Sequence, residues 1–212
     1  MVFAKLLSRG AKSGYTLVEV LVVVIIMGVL STMGVAGLQR AVANARIKDA
    51  AINTAAFVES VANLSTQRSE KLCLGVADCL SDGNPKKCRT LIVVAAAPDP
   101  TSSHINCNST KPGIIDRFSL DAPSVFISGG SGCPTDMLSW LSTGSSVNPN
   151  AMFEPRLGLS AMPPEGMVCI KYGDSDVYGA VRKTKVLNRV VPMWKVGDDA
   201  TQNGNWSNWT EL

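Results

Sequence analysis

Residues 20–38 run for nineteen positions without a charge, VLVVVIIMGVLSTMGVAGL. A helix needs roughly 17–25 predominantly apolar residues to cross a bilayer, so this run is long enough for a span. Lys5, Arg9 and Lys12 precede it, and residues 1–14 hold no acid. Basic residues ahead of an apolar helix keep that end in the cytoplasm and send the remainder outward. Six cysteines, Cys73, Cys79, Cys88, Cys107, Cys133 and Cys169, all follow the run. An even count on the outward side fits an oxidised, disulfide-stapled domain.

An ordinary secretory signal has a shorter apolar core with small residues at its far end. Ala36-Gly37 would serve as such a cleavage site, but the core is long for a signal. A plain anchor accounts for length and flanks and leaves Glu19 unexplained. A carboxylate inside an apolar helix costs about 2.5–3.5 kcal/mol on insertion scales. A solitary acid there points to a function and to a partner.

Residues 10–21 read GAKSGYTLVEVL: a basic leader ending in Gly14, then Tyr15-Thr16-Leu17-Val18-Glu19 and the apolar run. This order resembles the class III signal of type IV pilins and the related pseudopilins. The resemblance implies cleavage between Gly14 and Tyr15 by a prepilin peptidase on the cytoplasmic side. It also implies N-methylation of Tyr15 and an assembly role for Glu19. Cutting before the apolar core leaves the membrane helix on the mature chain and exposes a cationic α-amine. Once subunits pack, that buried cation needs an anion, and Glu19 of a neighbouring copy supplies one. Such a pair would fix the axial stagger of one helix against the next, as polar residues set register in coiled coils.

Beyond Leu38 the helical character persists. Alanine is abundant and no proline occurs before Pro85. Ile47, Ala50, Ala51, Thr54, Phe57, Val58, Val61 and Leu64 fall on one face, with Arg46, Asp49, Asn53, Ser60 and Asn63 opposite. The expected helix over 15–65 would be about 75 Å long, apolar all round at first and amphipathic later. Gly28, Gly34 and Gly37, with Ser31 and Thr32, weaken its first half at about 1 kcal/mol per glycine. They equally suit close helix packing in a membrane.

The expected organisation is a leader over 1–14, a transmembrane or filament-core helix over 15–38, its amphipathic continuation over 39–65, and a globular head over 66–212. In the head, residues 70–90 read as a stapled loop, and 91–97 and 124–128 as short strands. Residues 98–113 are polar and turn-rich, and 129–166 read as loop with one helical turn near 137–141. The clearest sheet signals are 167–172, 177–182 and 186–193, the first two joined by Gly173-Asp174-Ser175-Asp176 in a hairpin. The fold class is therefore α+β: a long N-terminal helix packed on a C-terminal antiparallel sheet, as the resemblance also implies. Six cysteines allow 15 pairings, which the sequence does not separate.

The chain offers little for catalysis. It is 46% hydrophobic and 17% charged, too apolar for a disordered tail. His104 is the single histidine and sits in a polar loop, and no CxxC is present. No catalytic, cofactor or metal residue is assigned. Asp174, Asp176, Asp198 and Asp199 lack an EF-hand spacing, and turn chemistry accounts for the hairpin aspartates. Without the three basic residues of the leader, 17 basic side chains face 17 acidic ones, which disfavours a nucleic-acid partner. Arg182, Lys183, Lys185, Arg189 and Lys195, beside Trp194, form a basic cluster that strand alternation would divide between two faces. Trp206 and Trp209, flanked by Asn and Ser, are candidates for stacking on a carbohydrate surface, although packing into the head is the default. Asn205 and Asn208 head glycosylation-type triplets that carry little weight here.

The function implied is that of a non-enzymatic pilus or pilus-like subunit. It would be single-pass in the inner membrane with a cytoplasmic N-terminus, then part of a homo-oligomeric helical filament at the cell surface. An assembly platform and an ATPase join the peptidase as partners by resemblance. The alternative is a minor pilin or pseudopilin serving as a tip adhesin or secretion-system component.

Overall fold

The computed structural model describes residues 15–80, 87–98, 105–110, 112–127, 152–161, 168–183, 190–197 and 209–212. The chain divides into two units, Met1–Ala41 and Val42–Leu212. Helix α1 spans Leu17–Arg68. In the first unit its residues are helical through Gly28, Gly34 and Gly37. Ser31 Oγ donates to the Met27 carbonyl at 2.7 Å and Thr32 Oγ1 to that of Val29 at 2.8 Å, so these hydroxyls are satisfied without leaving the helix.

In the second unit α1 contributes one face to a core built on an antiparallel sheet. Ala43, Ile47, Ala51, Thr54, Ala55, Val58 and Val61 are buried, while Arg46, Asp49, Asn53, Ser60 and Asn63 are exposed, as the helical spacing predicts. The strands are β1 (Leu72–Leu80), β2 (Lys87–Pro98), β3 (Ile105–Thr110), β4 (Asp116–Ser119), β5 (Ser124–Ile127), β6 (Met152–Glu154), β7 (Gly158–Ala161), β8 (Val168–Tyr172), β9 (Val177–Lys183), β10 (Val190–Val196) and β11 (Thr210–Glu211). Their order is β11-β10-β9-β8-β5-β2-β1-β6-β7, with β3 and β4 also paired to β2.

The helix-side core joins Ile47, Val58 and Val61 to Leu72, Leu74, Leu91, Val93, Phe126, Phe153, Ile170 and Val181. Phe57 stacks on Phe118 at 5.3 Å between ring centroids. At the end of α1, the buried Ser65 hydroxyl lies 2.7 Å from the Glu70 carbonyl and 3.2 Å from that of Phe153, tying the helix terminus to β6. A second cluster, Ile127, Cys169, Tyr178, Ala180, Met193 and Trp209, occupies the opposite face of the sheet.

Several expectations are corrected. Residues 70–90 are not simply a stapled loop: β1 and β2 form a ladder from Leu72↔Ala95 to Leu80↔Lys87. Leu72, Leu74 and Val76 alternate toward the helix, which is the strand signal that the neighbouring turn-type residues obscured. Strands β3 and β4 form in and beside the turn-rich 98–113 stretch, and β6 and β7 arise within the expected loop 129–166. These are short, polar or Gly-containing segments whose ladder partners, not their own propensity, make them strands. The expected helical turn at 137–141 lies outside the described residues.

Candidate functional site

The segment that carries the sequence signature is the start of α1. Thr16 is its N-cap: the Glu19 backbone N–H donates to Thr16 Oγ1 at 3.2 Å and to the Thr16 carbonyl at 3.1 Å. Thr16-Leu17-Val18-Glu19 is thus a T-x-x-E start, with the acid at the third helical position. A carboxylate there is favoured by the positive end of the helix dipole. The helix begins at Leu17, three residues after Gly14, so the chain enters it just beyond the expected cleavage point. Thr16 went unassigned from sequence, although the T-x-x-E spacing before an apolar run was its signal.

The Glu19 side chain is exposed, and among the described residues it has no hydrogen bond or ion pair. Tyr15 is 82% exposed, and large apolar side chains from Leu17 to Leu38 are exposed in turn. The helix is long and apolar enough to cross a membrane. A β-carbon added to Gly28 or Gly37 would meet nothing within 4 Å, so nothing within the described chain requires their small size. An uncovered apolar surface of this extent calls for lipid or other protein.

The remaining candidates distribute as follows. Gly14, His104, Lys185, Arg189, Asp198, Asp199, Asn205, Trp206 and Asn208 lie outside the described residues, as does Cys133. Cys79 and Cys88 form a disulfide across the β1–β2 ladder. Cys73 and Cys169 are disulfide-bonded as well, and both are fully buried. Cys107 falls on β3. Trp209 packs into the head, the default reading of the tail: it is 7% exposed in the second core cluster, with Lys195 Nζ 5.2 Å from its ring centroid. Its aromatic area is worth more in that core than in water.

The basic cluster is divided, as alternation requires. Lys195 lies over Tyr178 and Trp209 on one face, whereas Trp194, its neighbour on β10, takes Lys48 of α1 at 3.8 Å on the other. Asp174 and Asp176 sit in the β8–β9 turn, where Ser175 N donates to the Tyr172 carbonyl at 3.1 Å. The described residues include no group of three or more His, Cys, Asp or Glu side chains placed to hold a metal.

Comparison with known proteins agrees with this site. The family model of the prokaryotic N-terminal methylation motif matches residues 9–35. No curated protein and no solved structure matches the chain. The chain thus carries the class III signal of type IV pilins at the head of a long apolar helix, followed by an antiparallel sheet with a disulfide, a pilin-like α+β arrangement.

Proposed function

We propose that this chain is a structural subunit of a type IV pilus or pilus-like filament. A prepilin peptidase removes residues 1–14 after Gly14 and methylates the new amine of Tyr15. Residues 15–38 anchor the subunit in the inner membrane and then pass into the filament core. Residues 66–212 form the surface, with the amphipathic stretch 39–65 joining the two. An assembly platform and ATPase drive the transfer. The chain has no catalytic role of its own.

The observation that carries this reading is the unpaired Glu19 carboxylate on the first turn of a helix with exposed apolar side chains. In a filament the apolar surface is buried by other copies, and Glu19 meets the α-amine that cleavage creates. The test is the mass of the mature N-terminus from native membranes and sheared surface material. A chain starting at methylated Tyr15, recovered in fibres visible by electron microscopy, is expected. Material starting at Met1, or lacking residues 15–38, would overturn the reading.

A further inference from the structure

Arg46, Asp49 and Asn53 of α1 line an open cleft of about 120 Å³ in the second unit. Their spacing of three and then four residues is that of one helix face. Phe118, Asp121 and Tyr172 contribute from the sheet and from the β4–β5 connection. The cleft is held in shape by contacts of its lining residues with each other and with the surrounding head. Phe118 stacks on Phe57; Leu120 N donates to the Arg89 carbonyl at 2.9 Å, Ser124 N to Asp121 O at 2.9 Å, and Gly173 N to Pro123 O at 3.2 Å. A connection fixed in this way costs little further ordering when a ligand arrives.

The second observation concerns bonding. Among the described residues, the side chains of Arg46, Asp49, Asn53, Asp121 and Tyr172 make no hydrogen bond or ion pair. Arg46 and Asp49 are three apart on a helix, where opposite charges readily meet. Here they line the same cleft unpaired.

The lining restricts the ligand. An apolar guest would strand five polar groups, and an anion would face two carboxylates. The volume lies below the 150 Å³ cavity known to hold benzene and well below the roughly 300–1,000 Å³ of cofactor-sized pockets. Only one small group enters. A neutral sugar satisfies these conditions: adjacent hydroxyls both donate and accept, matching carboxylate, amide, guanidinium and phenol groups. Its C–H face packs on the electron-rich face of an aromatic ring, and Phe118 and Tyr172 line the cleft. We infer that this cleft binds part of one neutral saccharide residue of a glycan, independently of how the subunit assembles.

The full chain in detergent micelles is titrated with glucose, galactose, mannose and N-acetylglucosamine, and separately with arginine methyl ester, while amide chemical shifts are followed. At least one sugar is expected to give a saturable shift centred on residues 46–53 and 118–122. Asn53→Ala and Asp121→Ala, both exposed positions, are expected to weaken it about tenfold with the rest of the spectrum unchanged. No saturable sugar response would overturn the proposal, as would sugar affinity unaltered in both variants. A response to arginine methyl ester alone would also overturn it, making the cleft a socket for a basic side chain.

Discussion

The backbone of Ile47 on α1 crosses Gly179 on β9 so closely that a β-carbon on Gly179 would lie 3.1 Å from the Ile47 carbonyl oxygen. It would also lie 3.2 Å from Ile47 Cγ1 and 3.4 Å from the Ala51 methyl. The helix can settle onto the sheet here because residue 179 has no side chain. Ile47 and Ala51 are both fully buried at this crossing, so the neighbours have little room to yield.

Gly179→Ala is therefore expected to destabilise the head by about 1–3 kcal/mol, the usual cost of overpacking. The measurement is the midpoint of thermal unfolding, compared with Gly197→Ala. A β-carbon at Gly197 meets nothing within 4 Å, but its φ of +97° strains any substitution. The Gly179 variant should lose near-ultraviolet signal from core aromatics before its helical signal, whereas strain at Gly197, just past β10, should not disturb the core. An unaltered midpoint for Gly179→Ala would show that α1 can lift from the sheet at no cost.

This crossing also shows how far the sequence could be read. The apolar face of α1 was plain because eight positions repeat at helical spacing and tertiary packing reinforces them. Strands β8, β9 and β10 were legible for a similar reason: each is a compact β-rich run beside a turn. Strands β3, β4, β6 and β7 were not, because each lacks the compact β-rich run that marks β8, and their existence rests on their ladder partners. That Gly179 is a contact point rather than a weak spot in β9 was equally hidden, since it depends on the face opposite Ile47. At the candidate site, Gly14, Tyr15 and Glu19 stood out by order alone. The cleft beside Arg46 did not, because its walls come from three segments far apart in the chain, around Arg46, Phe118 and Tyr172.

The cysteines give a covalent prediction. Cys73 lies on β1 and Cys169 on β8, with β2 and β5 between them in the sheet. Three strand spacings of about 4.8 Å separate the two by roughly 14 Å, twice the reach of a disulfide. They are consequently bonded to other cysteines, and after Cys79–Cys88 the sequence leaves Cys107 and Cys133. Peptide mapping without reduction should recover Cys79 with Cys88, and Cys73 and Cys169 in separate bridges. A peptide linking Cys73 to Cys169 would contradict the sheet order itself.

The ladder bridge should be worth a measurable share of stability. It closes a loop of sequence separation 9, for which chain entropy gives about 2.5–3 kcal/mol. The double variant Cys79→Ser/Cys88→Ser should lower the unfolding free energy by that order, read by denaturant titration of the full chain in detergent. Loss of less than about 0.5 kcal/mol would mean that the β1–β2 ladder already constrains the unfolded chain.

Thr90 offers a polar counterpart in the same region. It is 3% exposed, donates to Asp78 Oδ2 at 2.5 Å, and shares a 2.9 Å hydrogen bond with Ser119 Oγ. Asp78 has a φ of +54°, a backbone geometry that non-glycine residues adopt rarely. Thr90→Val keeps the shape and removes the hydroxyl, so Asp78 and Ser119 lose their common partner. A loss of about 1–3 kcal/mol is expected, and amide exchange at 77–80 should accelerate more than exchange in β9. Uniform acceleration across both strands would assign the effect to global stability alone.

Processing and assembly can be separated by substitutions at three positions, Gly14, Thr16 and Glu19. Gly14→Val should leave a membrane-bound precursor that still carries residues 1–14. Thr16→Ala removes the N-cap, which typically contributes about 1 kcal/mol, and should fray the first turn while cleavage continues. Glu19→Ala should be cleaved and methylated normally, because the cut precedes it. In the growing fibre, however, the buried amine of Tyr15 would then lack its anion. An unpaired buried charge costs about 3–5 kcal/mol, enough to suppress fibre growth more than a hundredfold. Glu19→Asp keeps the charge on a shorter arm and should recover growth in part, whereas Glu19→Gln should not, since an amide cannot neutralise the amine. Normal fibre density in both Glu19→Ala and Glu19→Gln would remove the pairing argument and leave apolar packing of residues 15–38 as the sole driver of polymerisation.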